Sequence, residues 1–205
     1  MILSAPKKIS PTLAGFTLIE MVISLSVVMV VTVMFIANFH TANKRTDLIM
    51  TAQNLAADLH LAQNHTLGLV KYYNSSEGTV PAGGWGINFN ATNNEYTLFA
   101  DLDAASTVPG SGYMEYDPVL EGNVNYGARV TQLPPGIEIS ELKTDADLLN
   151  QYANVTFLPP DPRTNIYRVN AVATSTVLDI KLKETQNNTT KTIRVNFLGL
   201  IEVID

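Results

Sequence analysis

One carboxylate stands in an otherwise apolar stretch near the start of this 205-residue chain. The run Phe16–Phe39 holds 24 residues, and Glu20 is the only one of them that carries a charge. As an α-helix the run would be about 36 Å long, which is enough to cross a hydrocarbon core about 30 Å thick. A charged side chain inside lipid costs about 3 kcal/mol on insertion scales. Glu20 is therefore expected to have a function or a partner.

The residues before Glu20 suggest such a partner. Cleavage between Gly15 and Phe16 would create an ammonium group on Phe16, four residues before the carboxylate. Where water is excluded, the ammonium group of one subunit and the carboxylate of a neighbouring subunit attract each other strongly. The alternative is that Glu20 lies in the first turn of a helix, where the helix dipole favours its negative charge. The residues alone leave both interpretations open.

The segment from Gly15 to Met21, Gly-Phe-Thr-Leu-Ile-Glu-Met, resembles the class III signal of type IV prepilins and type II secretion pseudopilins. The resemblance implies that a prepilin peptidase cuts after Gly15 and methylates the new N-terminal residue, Phe16. It also implies that Glu20 assists assembly with other pilins or pseudopilins into a filament. The chain would then be a structural subunit, held in the inner membrane by a single pass with a cytoplasmic N-terminus. Its head domain would be periplasmic, or extracellular after filament assembly.

The basic pair Lys7-Lys8 belongs to the same resemblance, as the charged part of a leader peptide over residues 1–15. An ordinary secretory signal has an apolar segment of about 7–15 residues followed by a small-x-small cleavage site. This run is far longer, and nothing after Ala37 offers a convincing site of that kind. An uncleaved signal anchor is the other alternative, with the two lysines keeping the N-terminus in the cytoplasm.

One long helix is predicted to carry these residues into a globular domain. No Pro occurs between Pro11 and Pro81, so a membrane and assembly half at 16–39 is expected to continue into an amphipathic half at 40–70. Apolar residues at spacings of three and four predict the buried face of that second half. They are Leu48, Ala52, Leu55, Leu59 and Ala62. The predicted fold class is α+β and pilin-like, with this face packed on the antiparallel β-sheet of a head at 71–205.

Short β-prone segments separated by turn residues predict nine strands in the head. These are 85–89, 96–99, 128–133, 137–142, 155–158, 167–173, 177–183, 192–197 and 200–203. Asn93-Asn94 is predicted to be the turn of a hairpin between the first two. The segments 84–89 and 194–203 resemble those of the GspH/FimT-like branch of minor pilins and pseudopilins. That branch usually carries an Ala-Arg pair near the end of the helix, where this chain has Ala62-Gln63.

Composition argues against several other classes. The chain has no cysteine, so disulfides and thiolate metal sites are excluded. Without residues 1–15 it has 11 basic and 19 acidic residues, a net charge of −8, which does not favour nucleic acid as a partner. His40, His60 and His65 lack the spacing of a zinc site, and a solvated polar face is expected for them. A membrane-anchored enzyme is disfavoured, and we assign no catalytic residue, cofactor or metal ligand.

Four carboxylates cluster in a segment rich in Gly and Pro, and oxygen ligands on a flexible loop can bind calcium. They are Asp101, Asp103, Glu115 and Asp117. Their spacing is not that of an EF-hand, so a solvated acidic loop is the alternative. The functional alternative to a structural subunit is a ligand-binding or DNA-binding tip pilin of a DNA-uptake system. Binding to DNA requires a basic cluster. The C-terminal segment has no basic residue after Arg194, and Arg163 and Arg168 form a nearby basic pair around a turn.

Overall fold

A computed structural model describes residues 15–74, 77–102, 116–122, 127–145, 148–149, 151–158, 163–167 and 175–204. Within these ranges one α-helix precedes twelve β-strands. The chain divides into two compact units, the first ending at Ala42 and the second running from Asn43 to Asp205. The predicted α+β class is confirmed.

The helix, α1, spans Leu18–Leu67. It begins two residues later and ends three residues earlier than the predicted range 16–70. Its C-terminus closes with two hydrogen bonds, from the N–H of Val70 to the carbonyl of His65 at 2.8 Å and from that of Leu69 to the carbonyl of Thr66 at 3.1 Å. This pair of bonds defines a Schellman motif. Leu69 supplies the left-handed backbone of the motif, with a φ of 49°. A left-handed conformation costs an L-residue about 1–2 kcal/mol.

The strands are short, and all their pairings are antiparallel. They are β1 Tyr72–Asn74, β2 Glu77–Thr79, β3 Gly84–Asn90, β4 Glu95–Asp101, β5 Arg129–Gln132, β6 Ile137–Thr144, β7 Leu148–Leu149, β8 Tyr152–Leu158, β9 Arg163–Tyr167, β10 Val177–Glu184, β11 Thr190–Asn196 and β12 Ile201–Ile204. The predicted hairpin is confirmed, because β3 pairs with β4 and Asn94 has the left-handed φ of 53° that such a turn requires.

The strands form two five-stranded sheets and a two-stranded ribbon, so the single sheet predicted for the head is wrong. The first sheet has the order β5-β4-β3-β8-β9, the second has the order β12-β11-β10-β6-β7, and β1-β2 is the ribbon. The chain changes sheet after β5, at a Pro-Pro-Gly turn in which Gly136 has a φ of 89°. Alternation of apolar residues tells which face of a strand is buried, but not which strand lies beside it.

Three strands were not predicted, and a fourth shares a single residue with a predicted strand. The strands β1, β2 and β7 have only two or three residues each, which is too short to show a period. The strand β9 covers Arg163–Tyr167 and shares only Tyr167 with the strand expected at 167–173, whose residues 168–173 lie outside the described residues. The other eight predicted strands agree with the structure to within three residues at each end.

A single apolar core joins the second half of α1 to both five-stranded sheets. The five residues predicted for the buried face of the helix are all buried: Leu48, Ala52, Leu55, Leu59 and Ala62. The same cluster contains Ile87 and Val155 of the first sheet, and Ile180 and Val195 of the second. Packing of the amphipathic half of the helix on β-structure is therefore confirmed, with two sheets as its partners.

Candidate functional site

The N-terminus of α1 is built by a capping residue. Thr17 precedes the helix, and its Oγ1 accepts a hydrogen bond from the N–H of Glu20 at 3.3 Å. The sequence Thr-x-x-Glu is that of a capping box. Glu20 lies in the first turn, where its negative charge is favoured by the helix dipole. The intrachain interpretation of this carboxylate therefore has a structural basis.

The first half of α1 exposes its apolar side chains. Leu18–Ile36 is long and apolar enough to cross a membrane, by length and composition, and none of this span is buried against the rest of the described chain. Phe16 and Leu18 are 78% and 82% exposed. A continuous apolar surface of this kind indicates a membrane or a protein partner, because soluble monomers rarely leave such an area in water.

Hydroxyl groups within the apolar span are satisfied by the helix itself. The Oγ of Ser26 donates to the carbonyl of Val22 at 2.7 Å, and the Oγ1 of Thr32 donates to the carbonyl of Val28 at 2.8 Å. Polar groups placed in lipid or between packed helices must find partners inside the protein. These two hydroxyls therefore add little to the cost of burying the helix.

The predicted processing residues are exposed and close to the helix start. Gly15 lies in an irregular, exposed segment, and a Cβ added there would meet no heavy atom within 4 Å. Phe16 and Glu20 are exposed as well. Among the described residues no ion pair involves Glu20, so a cation for it would have to come from elsewhere. Lys7 and Lys8 lie outside the described residues.

The two described members of the predicted acidic cluster lie in different environments. Asp101 is fully buried at the end of β4, and Asp117 accepts hydrogen bonds from the N–H groups of Val119 and Leu120 at 2.7 and 3.3 Å. Such bonds make the Asp117 carboxylate part of a turn. Asp103 and Glu115 lie outside the described residues. In the part of the chain that the structure describes, no group of three or more His, Cys, Asp or Glu residues could hold a metal ion.

The solvated face predicted for the histidines is wrong for His65. Its ring lies edge-on to Trp85, with centroids 4.8 Å apart. Burial, followed by the positive charge of Arg129, lowers the pKa of His65 below its ordinary value of 6.5. His60 is exposed, as predicted. The side chain of His40 lies outside the described part.

Polar contacts that the sequence did not reveal join α1 to the head. The Thr66 hydroxyl donates to the carbonyl of Phe157 at 3.0 Å and accepts from the N–H of Trp85 at 3.0 Å. Near the middle of the packed half, Asp58 accepts from the hydroxyl of Tyr96 at 2.7 Å and forms an ion pair with Arg129. Burial and the Asp58 carboxylate both raise the pKa of the Tyr96 phenol.

These contacts anchor the helix to the first sheet. Between Asp58 and Thr66 on the helix, the Nε2 of Gln63 donates to the carbonyl of Gly199 at 3.1 Å. Gly199 lies between β11 and β12. Gln63 occupies the position at which an Arg was expected from the resemblance, and here its neutral amide binds the second sheet. Helix periodicity predicts that a polar residue faces away from the core, but it cannot show which carbonyl lies within reach.

Comparison of the chain with protein-family models, with curated proteins and with solved structures finds no match. The function is therefore inferred from the residues and their geometry.

Proposed function

We propose that this chain is a minor pilin or pseudopilin, a structural subunit of a type IV pilus or a type II secretion pseudopilus. A prepilin peptidase cuts it after Gly15 and methylates Phe16. The apolar helix then holds the subunit in the inner membrane, with its N-terminus in the cytoplasm, until it joins other subunits in a filament. The head is periplasmic before assembly, or extracellular once it is part of the filament.

The observation that carries the proposal is the position of the exposed apolar helix. Leu18–Ile36 begins three residues after Gly15 and leaves its whole apolar surface uncovered within the described chain. A signal that is cut at this point releases a helix that lipid can cover in the membrane and that other helices can cover in a filament. The α+β head, which buries the second half of the same helix, also supports a pilin-like architecture.

Two interpretations of Glu20 can be separated by variants that act on different groups. In Glu20→Gln the amide can still complete a capping box, but the negative charge is removed. If the carboxylate pairs with the Phe16 ammonium group of a neighbouring subunit, that cation then enters the filament core unpaired. An unpaired buried charge costs about 3–5 kcal/mol, enough to lower incorporation about 100-fold or more. In Thr17→Val the cap is lost, at about 0.5–2 kcal/mol of helix stability, while the charge stays.

The assay is the ratio of subunit in sheared filaments to subunit in the membrane pool. We expect wild-type cleavage, to a 190-residue protein that begins at Phe16, in both variants and in the control Ser26→Ala, whose hydroxyl bonds only its own helix. Intact-mass measurement checks the cut. An unchanged ratio in Glu20→Gln would remove the assembly role from this carboxylate. A mature protein that begins beyond Phe39 would contradict the whole proposal.

The alternative of a DNA-binding tip pilin finds no support in the described cations on the outer face of the second sheet. On the outer face of the second sheet, Arg194 makes two bonds to Asp179, at 2.7 and 2.8 Å, and Lys181 lies 3.0 Å from Glu141. Paired cations of this kind release few counterions from phosphates. We expect no binding of duplex DNA at physiological salt, and a salt-sensitive mobility shift at micromolar protein would favour the tip role instead.

A further inference from the structure

A row of buried polar side chains crosses the first sheet on the face opposite the core. Asn88 of β3 lies between Thr97 of β4 and Asn154 of β8 in the strand register. The neighbouring row, in which Ile87 lies between Leu98 and Val155, belongs to the core. The polar row is nevertheless almost inaccessible, with exposures of 4% for Thr97, 6% for Asn88 and 1% for Asn154. Polar side chains on the outer face of a sheet ordinarily face water.

These side chains form the floor of a cavity of about 450 Å³, within the range of small-molecule sites. Its walls include Tyr116, Pro118 and Val130 on one side and Tyr152 on the other. The described lining of the cavity belongs to the second compact unit.

The wall that contains Tyr116 is held in place by a buried carboxylate. Glu121, 1% exposed, accepts hydrogen bonds from the N–H of Leu102 at 2.9 Å and from the N–H of Asp117 at 3.0 Å. These bonds tie the 116–122 segment to the end of β4. The ring of Tyr116 also packs on Phe99, with centroids 5.1 Å apart. The cavity is therefore bounded by positioned side chains.

The floor contains a donor with no partner among the described residues. The Nδ2 of Asn88 donates to the Oδ1 of Asn154 at 2.6 Å, whereas the Nδ2 of Asn154 is buried and makes no hydrogen bond to the described chain. An unmade hydrogen bond at a buried amide costs about 1–3 kcal/mol. A ligand oxygen that contacts this nitrogen would remove that cost.

The charges of the described lining disfavour an anionic ligand. No Lys or Arg belongs to the described lining, and the one ionisable acid in it is Glu95. Its Oε1 accepts from the Nδ2 of Asn90 at 3.1 Å and from the Nδ2 of Asn93 at 2.9 Å. A phosphate would therefore meet a carboxylate and no cation. Amides and hydroxyls that both donate and accept are suited to a neutral ligand that carries many hydroxyl groups.

We propose that this cavity binds a neutral saccharide unit, with the Asn88–Asn154 pair bonding its hydroxyls and Tyr152 packing on its ring. Tyr152 is 39% exposed at the rim and presents an apolar face with a polar tip. The proposal goes beyond the structural role in a filament, because the cavity belongs to the head. If the chain assembles into filaments but binds no sugar, the saccharide proposal fails and the proposed structural role stands. If the head binds sugar but the chain is never assembled, the structural role fails and the saccharide proposal stands.

The test is saturation-transfer NMR on the full chain in lauryldimethylamine oxide, a detergent without a sugar headgroup. The probes are the methyl glycosides of glucose, galactose and N-acetylglucosamine, together with cellotetraose and chitotetraose. We expect transfer to the protons of at least one saccharide. If a tetrasaccharide binds more tightly than the methyl glycosides, the site is assigned to a glycan chain. If the two kinds of probe bind with equal affinity, the site is assigned to a single sugar. The absence of transfer to every saccharide would overturn the proposal, as would stronger transfer to thymidine or to tetraglycine.

Variants then locate the binding. Tyr152→Ala should raise the dissociation constant at least about threefold, since an aromatic contact is removed. Asn154→Ala should also raise the dissociation constant at least about threefold, because a hydrogen bond is lost. Phe197→Ala is the matched control, an exposed aromatic residue outside the cavity lining, and should leave affinity unchanged. If Asn154→Ala does not fold, Tyr152→Ala decides the question, and wild-type affinity in that variant would place the sugar elsewhere.

Discussion

The hydroxyl of Thr66 joins the end of α1 to two strands of the first sheet, so its removal should lower the free energy of unfolding. Thr66 is 2% exposed and bonds the carbonyl of Phe157 and the N–H of Trp85. Val keeps the β-branched shape and a similar helix propensity, but it leaves both backbone groups without this partner. An unsatisfied buried group costs about 1–3 kcal/mol, and we therefore expect Thr66→Val to lower the free energy of unfolding by about 2–4 kcal/mol.

Thr51 supplies a matched control in the same helix. It is 6% exposed, and its hydroxyl donates to the carbonyl of Asp47 at 2.7 Å. That carbonyl is four residues earlier, so the regular helix bond continues to satisfy it after the hydroxyl is removed. The same substitution, Thr51→Val, is therefore expected to lower the free energy of unfolding by less than about 1 kcal/mol.

The measurement is urea unfolding of a fragment that begins at Lys44, followed by the fluorescence of Trp85, the only Trp in the chain, and by circular dichroism. An unchanged slope with urea would show that only stability differs. If Thr66→Val and Thr51→Val lose the same free energy, the bridge between helix and sheet contributes nothing, and the argument from these two hydrogen bonds is refuted.

Three further predictions concern the same unit. The fragment from Lys44 should be soluble with a mixed helix and strand spectrum, and an insoluble product would contradict the unit boundary at Asn43. The pKa of His65 is lowered by burial, so below about pH 6.5 the unfolded chain binds more protons than the folded chain. The urea midpoint should therefore fall from pH 7 to pH 5. His65→Gln should flatten this pH dependence, whereas His60→Gln should not. Leu69→Gly should raise the free energy of unfolding by up to about 1 kcal/mol, since Gly adopts the left-handed conformation freely; a lower midpoint would mean that the Leu69 side chain contributes more than its backbone costs.

Local features were predictable because their signals lie within a few residues. The apolar run from Phe16, the helical spacing of Leu48 to Ala62 and the Asn93-Asn94 turn each identify their element without reference to the rest of the chain. The same holds for Glu20, whose place in the first helical turn follows from the residues around it. The filament role attached to that residue stays a proposal, because it concerns contacts with other chains.

The partners of these elements were decided by the tertiary structure. The strands β5 and β6 are consecutive, yet they belong to different sheets, because the pairing of strands depends on contacts between distant residues. The placement of His65 against Trp85 was missed for the same reason.

The cavity shows most clearly the difference between what the sequence predicts and what only the tertiary structure decides. Within its strand, Asn88 lies between Ile87 and Phe89, so its side chain points to the face opposite theirs. Only the packed chain places Asn154 beside it and Tyr116 on the same face of the sheet. Alternation in a sequence reports the two faces of a strand, whereas the burial of the outer face depends on residues more than 20 positions away.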